Sequence, residues 1–193
     1  MARGRPSPQL VVTAIALVPA VGVLAGLLLG RLGANPVETV THVTGEWTLR
    51  FLLVSLAVTP ARRWLGWAWL APYRRTFGLI AFGYACAHLL TWLALDWFFD
   101  WSAIWEDIVE RPFVTAGMAA FLCLVPLAAT STRRSMRRLG RRWITLHRLA
   151  YLAAALGVLH FLWLVKADIA PPVLHGAILA GLLAARFGRP ART

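Results

Sequence analysis

The chain has 193 residues, of which 59% are hydrophobic and 15% charged, and its mean hydropathy is +0.65. Soluble domains are nearer about 45–50% apolar and about 25% charged, so disorder is excluded and a soluble enzyme is a poor fit. The formal net charge is +12; in so apolar a chain, arginine-rich loops on one side of a bilayer account for it without invoking nucleic acid.

Taken in chain order, six stretches have the length or character of membrane helices, which need about 20 mostly apolar residues. The first covers about residues 10–30. It is too long for a signal-peptide core and no small-residue cleavage site follows it. Its Gly22, Gly26 and Gly30 form a small-xxx-small stripe, the pattern of a close helix–helix contact. The second, about 47–60, is the weakest, being short and containing Arg50; it starts a few residues earlier than its apolar run. The third covers about 76–95. In the long connection after it, Trp97, Trp101, Ile104, Trp105 and Ile108 recur at helical spacing. They predict a short helix resting on the outer membrane surface, or docking a partner there. The fourth, about 112–130, has Pro112 in its first turn, where the missing N–H costs little. The fifth covers about 143–165 and the sixth about 171–187. The expected architecture is an all-α membrane protein, one six-helix domain over residues 1–193, with no internal repeat. Cys86 and Cys123 lie inside apolar runs, so neither a disulfide, a thiolate metal site nor a reactive thiol is expected. Six spans also leave no length for a G-x-G-x-x-G dinucleotide unit.

Charge segregation sets the orientation. Arg3 and Arg5, then Arg62, Arg63, Arg74 and Arg75, then Arg133, Arg134, Arg137, Arg138, Arg141 and Arg142, and finally Arg186, Arg189 and Arg192 occupy alternate connections that contain no acid. The acids Glu38, Glu46, Asp96, Asp100, Glu106, Asp107, Glu110 and Asp168 occupy the others. The positive-inside rule then puts both termini in the cytoplasm.

Histidine carries the candidate chemistry. Ionisable residues inside a membrane are costly and are functional candidates by default. No carboxylate falls mid-membrane, which counts against a proton-coupled transporter. Imidazole without carboxylate or thiolate suits a b-type haem in an apolar slot. At about 1.5 Å rise per residue, His88 and His160 lie about 10 Å and about 8 Å from the outer ends of the two parallel spans that carry them. They match in depth and are the predicted axial pair. His147 lies near the cytoplasmic face and is open to three roles: ligand to a second haem, hydrogen-bond partner of another cofactor, or a snorkelling side chain. The positions 13 and 14 residues before His88 hold Arg75 and Arg74, not histidine, which argues against a second bis-histidine haem. Those arginines either hold a phosphate or propionate or serve as topology charges. Arg50 lies at a depth where haem propionates could reach, or it snorkels. His42 and His175 are read as surface residues of the outer side.

The segments GANPVETVTHVTG (33–45), RRTFGLIAFGYACAHLLTW (74–92), RPFVTAG (111–117), TSTRRSMRRLGRRWITLHRLAYL (130–152) and LHFLWLVK (159–166) resemble the MsrQ family, formerly called YedZ. More distantly the chain is similar to the membrane domain of ferric reductases and NADPH oxidases, which carries two histidines on each of two helices and a fused flavin and nicotinamide domain. The resemblance implies haem b bound through His88 and His160, with His147 as a further cofactor-binding position. It also implies FMN, for which no residue here matches a motif. As partner it implies a periplasmic molybdopterin-containing methionine sulfoxide reductase catalytic subunit in a heterodimer, with the quinone pool or a cytosolic flavin reductase as donor. The expected place is the bacterial inner membrane. The alternative is a stand-alone transmembrane ferric or quinone-linked reductase.

Overall fold

A computed structural model describes residues 7–187; Arg3, Arg5, Arg189 and Arg192 of the orientation argument lie outside the described residues. The described residues form helices and turns without a strand. Helix α1 (Pro8–Leu28) starts at Ser7, whose side chain accepts from the Leu10 N–H, with Pro8 in the first turn. Gly30 (φ +64°) and Gly33 (φ +84°) adopt left-handed backbone and reverse the chain into α2. This fold-back overturns the reading of the glycine stripe. The space a side chain at Gly26 would take is filled by Leu32 of the chain's own turn, and Gly22 has nothing within 4 Å. What fixes α1 instead is Tyr84, whose hydroxyl donates to the Ala16 carbonyl (2.7 Å) and accepts from the Ala20 N–H (3.2 Å). It is inserted into the helix ladder beside Pro19, where the backbone bonding is already interrupted.

Helix α2 (Pro36–Trp64) has 29 residues, about twice the expected stretch. Asn35 caps it and Pro36 opens it. Its outer half is polar by composition but helix-compatible, because Thr44 and Thr48 turn their hydroxyls back onto carbonyls four residues earlier, at 2.8 and 2.9 Å. Leu49, Phe51, Leu52, Leu53, Leu56 and Val58 are all buried. The least apolar expected span is therefore the most protein-enclosed helix: surrounded by other helices rather than lipid, it needs no lipid-matched surface.

Helix α3 (Tyr73–Thr91) continues through one π-helical turn, Trp92–Asp96. Phe98 (φ 48°) and Phe99 (φ 60°) then make a left-handed corner into α4 (Trp101–Glu110). Helix α4 is the short helix expected from the spacing of Trp97–Ile108, with Trp101, Trp105 and Val109 exposed and Ile104 and Asp107 buried. Helix α5 (Pro112–Ala129) follows directly. The basic connection is itself helical, α6 (Arg133–Leu139) and α7 (Arg141–Leu146), jointed at Gly140 (φ +50°). The fifth expected span is broken at His147 and Arg148, after which α8 (Leu149–Leu164) runs on; α9 (Ala170–Phe187) closes the chain.

Among the described residues four segments are long and apolar enough to cross a membrane: α1, Tyr73–Asp96, α5 and Arg141–Leu164; Ala170–Arg186 is apolar but shorter. The core is built where α2, α3, α5, α8 and α9 meet. Ala81, Ala153 and Ala154, each at most 1% exposed, let helix backbones approach closely.

Candidate cofactor site between two helix hairpins

His88 on α3 and His160 on α8 face each other with ring centres 6.0 Å apart and planes at 76°. Each ring is fixed by its Nδ1, which donates to a backbone carbonyl: Thr41 of α2 for His88 (2.9 Å) and Phe113 of α5 for His160 (2.6 Å). With Nδ1 carrying the proton, Nε2 is left with its lone pair, the tautomer a metal-binding imidazole needs. A glycine makes room for each ring. A Cβ on Gly45 would lie 2.9 Å from His88 Cε1, and one on Gly117 would lie 2.8 Å from His160 Nδ1.

The two halves of the site repeat one another. Thr41 and Phe113, Gly45 and Gly117, and His88 and His160 are each separated by 72 residues. The buried Ala81 and Ala153, and Leu52 and Leu124, share that interval. The α2–α3 and α5–α8 hairpins are thus equivalent units, contrary to the expectation of no repeat. The equivalence is confined to a carbonyl donor site, a small residue, a histidine and a few packing positions, too few to register as sequence similarity.

Both rings line a cavity of about 490 Å³, within the range of small-molecule and cofactor sites. Its walls are largely apolar and include Leu49, Leu52, Ala85, Phe121, Leu124 and Phe161. At its mouth the buried carboxylate of Asp107 accepts from the Trp92 indole (3.1 Å) and pairs with Arg111 (2.9 Å). This ties α4 to α3 and keeps a cation at the rim. Asp107, Arg111, Gly45, Gly117 and the two carbonyls were not singled out from the sequence; only the 72-residue interval would have exposed the glycines and carbonyls.

The remaining candidates fall elsewhere. His147 sits at the break between α7 and α8, stacked on Trp143 at 3.8 Å with its Nδ1 on the Trp143 carbonyl, and it does not line the cavity. Arg50 also does not line it; it pairs with Glu46 and lies over Trp47 at 4.8 Å, so it is turned from the site it was placed near. His42 is exposed as expected, 3.8 Å from Glu38. His175 is not a surface residue. It is 7% exposed within α9, bonded to the Pro171 carbonyl (2.7 Å) and edge-on to Phe161. The apparent outer-loop position was misleading because α9 begins at Ala170 and turns that face onto α8.

Among the described residues no three His, Cys, Asp or Glu side chains gather to hold a metal ion. Two opposed imidazoles in an apolar slot therefore suit a metal whose other ligands come from a planar macrocycle. Ring centres 6.0 Å apart are close enough for both imidazoles to reach a single metal ion. The class defined by this fold and site is a helical membrane protein with a bis-imidazole cofactor slot.

Comparison with known proteins narrows the class. Residues 44–158 match the family model described as ferric reductase like transmembrane component. The chain is 56% identical to the protein-methionine-sulfoxide reductase heme-binding subunit MsrQ of Rhodospirillum rubrum, over 89% of this chain and 83% of that one. It is 50% identical to the protein of the same name from Caulobacter vibrioides, over 85% and 79%. It is 52% identical to that from Deinococcus radiodurans, over 91% and 87%. No solved structure gives a significant match. The chain belongs to the MsrQ family of ferric reductase-like transmembrane proteins.

Proposed function

We propose that the chain is a haem b electron-transfer subunit of the bacterial inner membrane. It would take electrons from the quinone pool or a cytosolic flavin reductase and pass them to a periplasmic molybdopterin methionine sulfoxide reductase, for repair of oxidised periplasmic proteins. The observation that carries this reading is the His88–His160 pair, 6.0 Å apart, each ring held by a backbone carbonyl. Relatives named as haem-binding MsrQ subunits support it.

When bound, haem b supplies a one-electron carrier. The chain's own residues do the rest. Thr41 and Phe113 orient the imidazoles, Gly45 and Gly117 give them room, and Leu49, Leu52, Phe121 and Leu124 give the slot apolar walls. Arg111 provides a cation at the mouth for a carboxylate. The reading includes six spans with both termini cytoplasmic, α2 and α9 being the fifth and sixth, and an electron direction toward the periplasm. It also includes FMN and a heterodimeric partner, as the family resemblance implies.

The test is spectroscopic. The purified protein should show a low-spin b-type spectrum that a quinol or reduced flavin converts to the reduced form. Adding the periplasmic catalytic subunit and a methionine sulfoxide should reoxidise it. Haem that stays reduced with both present removes the proposed acceptor. Reduction of Fe(III) by the chain alone would favour the stand-alone reductase.

A further inference from the structure

Three buried side-chain polar atoms have no hydrogen-bond partner among the described residues, and all three belong to one group at the cytoplasmic end: His147 Nε2, Tyr151 OH and Arg186 Nη1. His147 and Tyr151 are one turn apart across the start of α8. The Arg186 guanidinium lies over the Tyr151 ring at 4.9 Å. Arg74 of α3 is half-buried and within Coulomb range of Arg186, Tyr151 and His147.

An arginine at a helix end ordinarily snorkels to water. Arg186 instead turns inward, and the end of α9 that carries it is pinned. Arg63 donates to the Arg186 carbonyl at 2.9 Å, and the Trp64 indole to the Ala185 carbonyl at 2.8 Å. Two guanidinium groups therefore lie within Coulomb range of a phenol and an imidazole, and among the described residues no carboxylate pairs with either guanidinium. Glu38, Glu46, Asp96 and Asp107 all line the cavity at the other end of the bundle. Buried polar atoms without partners cost about 1–3 kcal/mol each and call for a missing partner. Two cations without a counter-charge specify an anion with several acceptor oxygens.

We propose that Arg74, Tyr151 and Arg186 form a phosphate-binding site at the cytoplasmic end of the bundle, with His147 at its edge. The phosphate has two possible sources, the headgroup of an anionic phospholipid or a cytosolic phosphate ester such as a flavin mononucleotide. The site is separate from the imidazole slot and does not depend on haem occupying it.

The experiment uses the full chain in nanodiscs, with the low-spin spectrum of the same sample as the folding control. Binding of FMN is compared with that of riboflavin, which differs only by the phosphate, and inorganic phosphate serves as competitor. In parallel, native mass spectrometry measures retention of phosphatidylglycerol over phosphatidylcholine. A phosphate-ester site predicts FMN binding at least about 10-fold tighter than riboflavin binding, relieved by phosphate. Arg186→Gln or Arg74→Gln should each cost about 10-fold or more, and Tyr151→Phe a smaller factor. A headgroup site predicts no FMN preference but selective phosphatidylglycerol retention, lost in the same variants. If neither preference appears in the wild type, or Arg186→Gln and Arg74→Gln leave both preferences unchanged with the spectrum intact, the proposal is overturned.

Discussion

Substituting alanine for Gly117 tests the geometry of the imidazole slot directly. The added Cβ would lie 2.8 Å from Nδ1, 3.0 Å from Cε1 and 3.3 Å from Cγ of His160. These are three atoms of a rigid ring, not the end of a flexible chain. The ring cannot swing freely, because its Nδ1 is held by the Phe113 carbonyl at 2.6 Å. Ordinary contact near 3.4 Å requires the ring to retreat by roughly 0.6 Å, away from α5 and into the slot. Overpacking of this kind costs about 1–3 kcal/mol, and the gain in helix propensity on losing a glycine returns at most about 1 kcal/mol. A net penalty near 1–2 kcal/mol at the ligand corresponds to about a 5–30-fold loss. The expected result is a several-fold drop in haem content when haem is limiting, with a shift of the spectrum away from low spin. Gly45→Ala should behave alike through His88, its Cβ reaching 2.9 Å from Cε1. Gly83→Ala and Gly181→Ala meet nothing within 4 Å and should leave the spectrum unchanged. Wild-type haem content and spectrum in Gly117→Ala would refute the confinement of His160, and with it the equivalence of the two hairpins.

Further outcomes follow from the same arrangement. His88→Ala and His160→Ala should each abolish the low-spin spectrum, whereas exposed His42→Ala should not; pyridine-haemochrome content with absorbance spectra checks this. Reporter fusions at Arg138 and at Ser102 should report cytoplasm and periplasm, and the reverse at both sites would sink the orientation and the outward electron direction. Tyr84→Phe removes the hydroxyl joining α3 to the Ala16 carbonyl and the Ala20 N–H. It should lower stability by about 1 kcal/mol, read as a fall in melting temperature with an unchanged spectrum. Asp107→Ala strands the Trp92 indole and Arg111 together. It should cost about 1–3 kcal/mol and loosen α4, read as faster proteolysis between Asp96 and Arg111.

The sequence carried the site further than it carried the helix borders. His88 and His160 were legible because depth along a helix follows from residue count alone, and two imidazoles at one depth are a chemically narrow signal. The opening of α5 was legible because Pro112 marks it. Helix α2 was missed over its first eleven residues because hydropathy measures exposure to lipid. Thr41, Thr44 and Thr48 satisfy their hydroxyls locally or across to α3 and sit among protein neighbours. His175 was misread for a related reason: loop proximity says nothing of which face of a helix is covered. The break before α8 had no visible cause in an apolar run; His147, just before it, stacks on Trp143 one turn earlier with its N–H still on the Trp143 carbonyl (3.0 Å), away from the cavity.

The 72-residue interval explains why one end of the bundle differs from the other. Near one end, each hairpin supplies the same three elements: a carbonyl, a glycine and a histidine. Thirteen residues earlier in the second hairpin stands His147, and the same interval puts Arg75 opposite it in the first. The scaffold thus offers matched imidazoles at one level; at the other the position equivalent to His147 holds Arg75, which turns toward α1, and the arginine within Coulomb range of His147 is Arg74. Equivalent hairpins would present two identical ligands to a planar group at both levels; divergence at the inner level replaces that symmetry with cations. Under the proposed function, the symmetric level lies nearer the periplasmic acceptor. The cationic level, with Arg74, Arg75 and Arg186, lies where anionic ligands and donors on the cytoplasmic side arrive. Restoring a histidine at Arg75 is therefore informative. Arg75→His should create a second imidazole pair across from His147 only if the hairpins are equivalent at that level. The low-spin haem content per protein would then rise above wild type. An unchanged content would mean that the break at His147 and Arg148 has taken the inner level out of register, confining the equivalence to the outer half of the bundle.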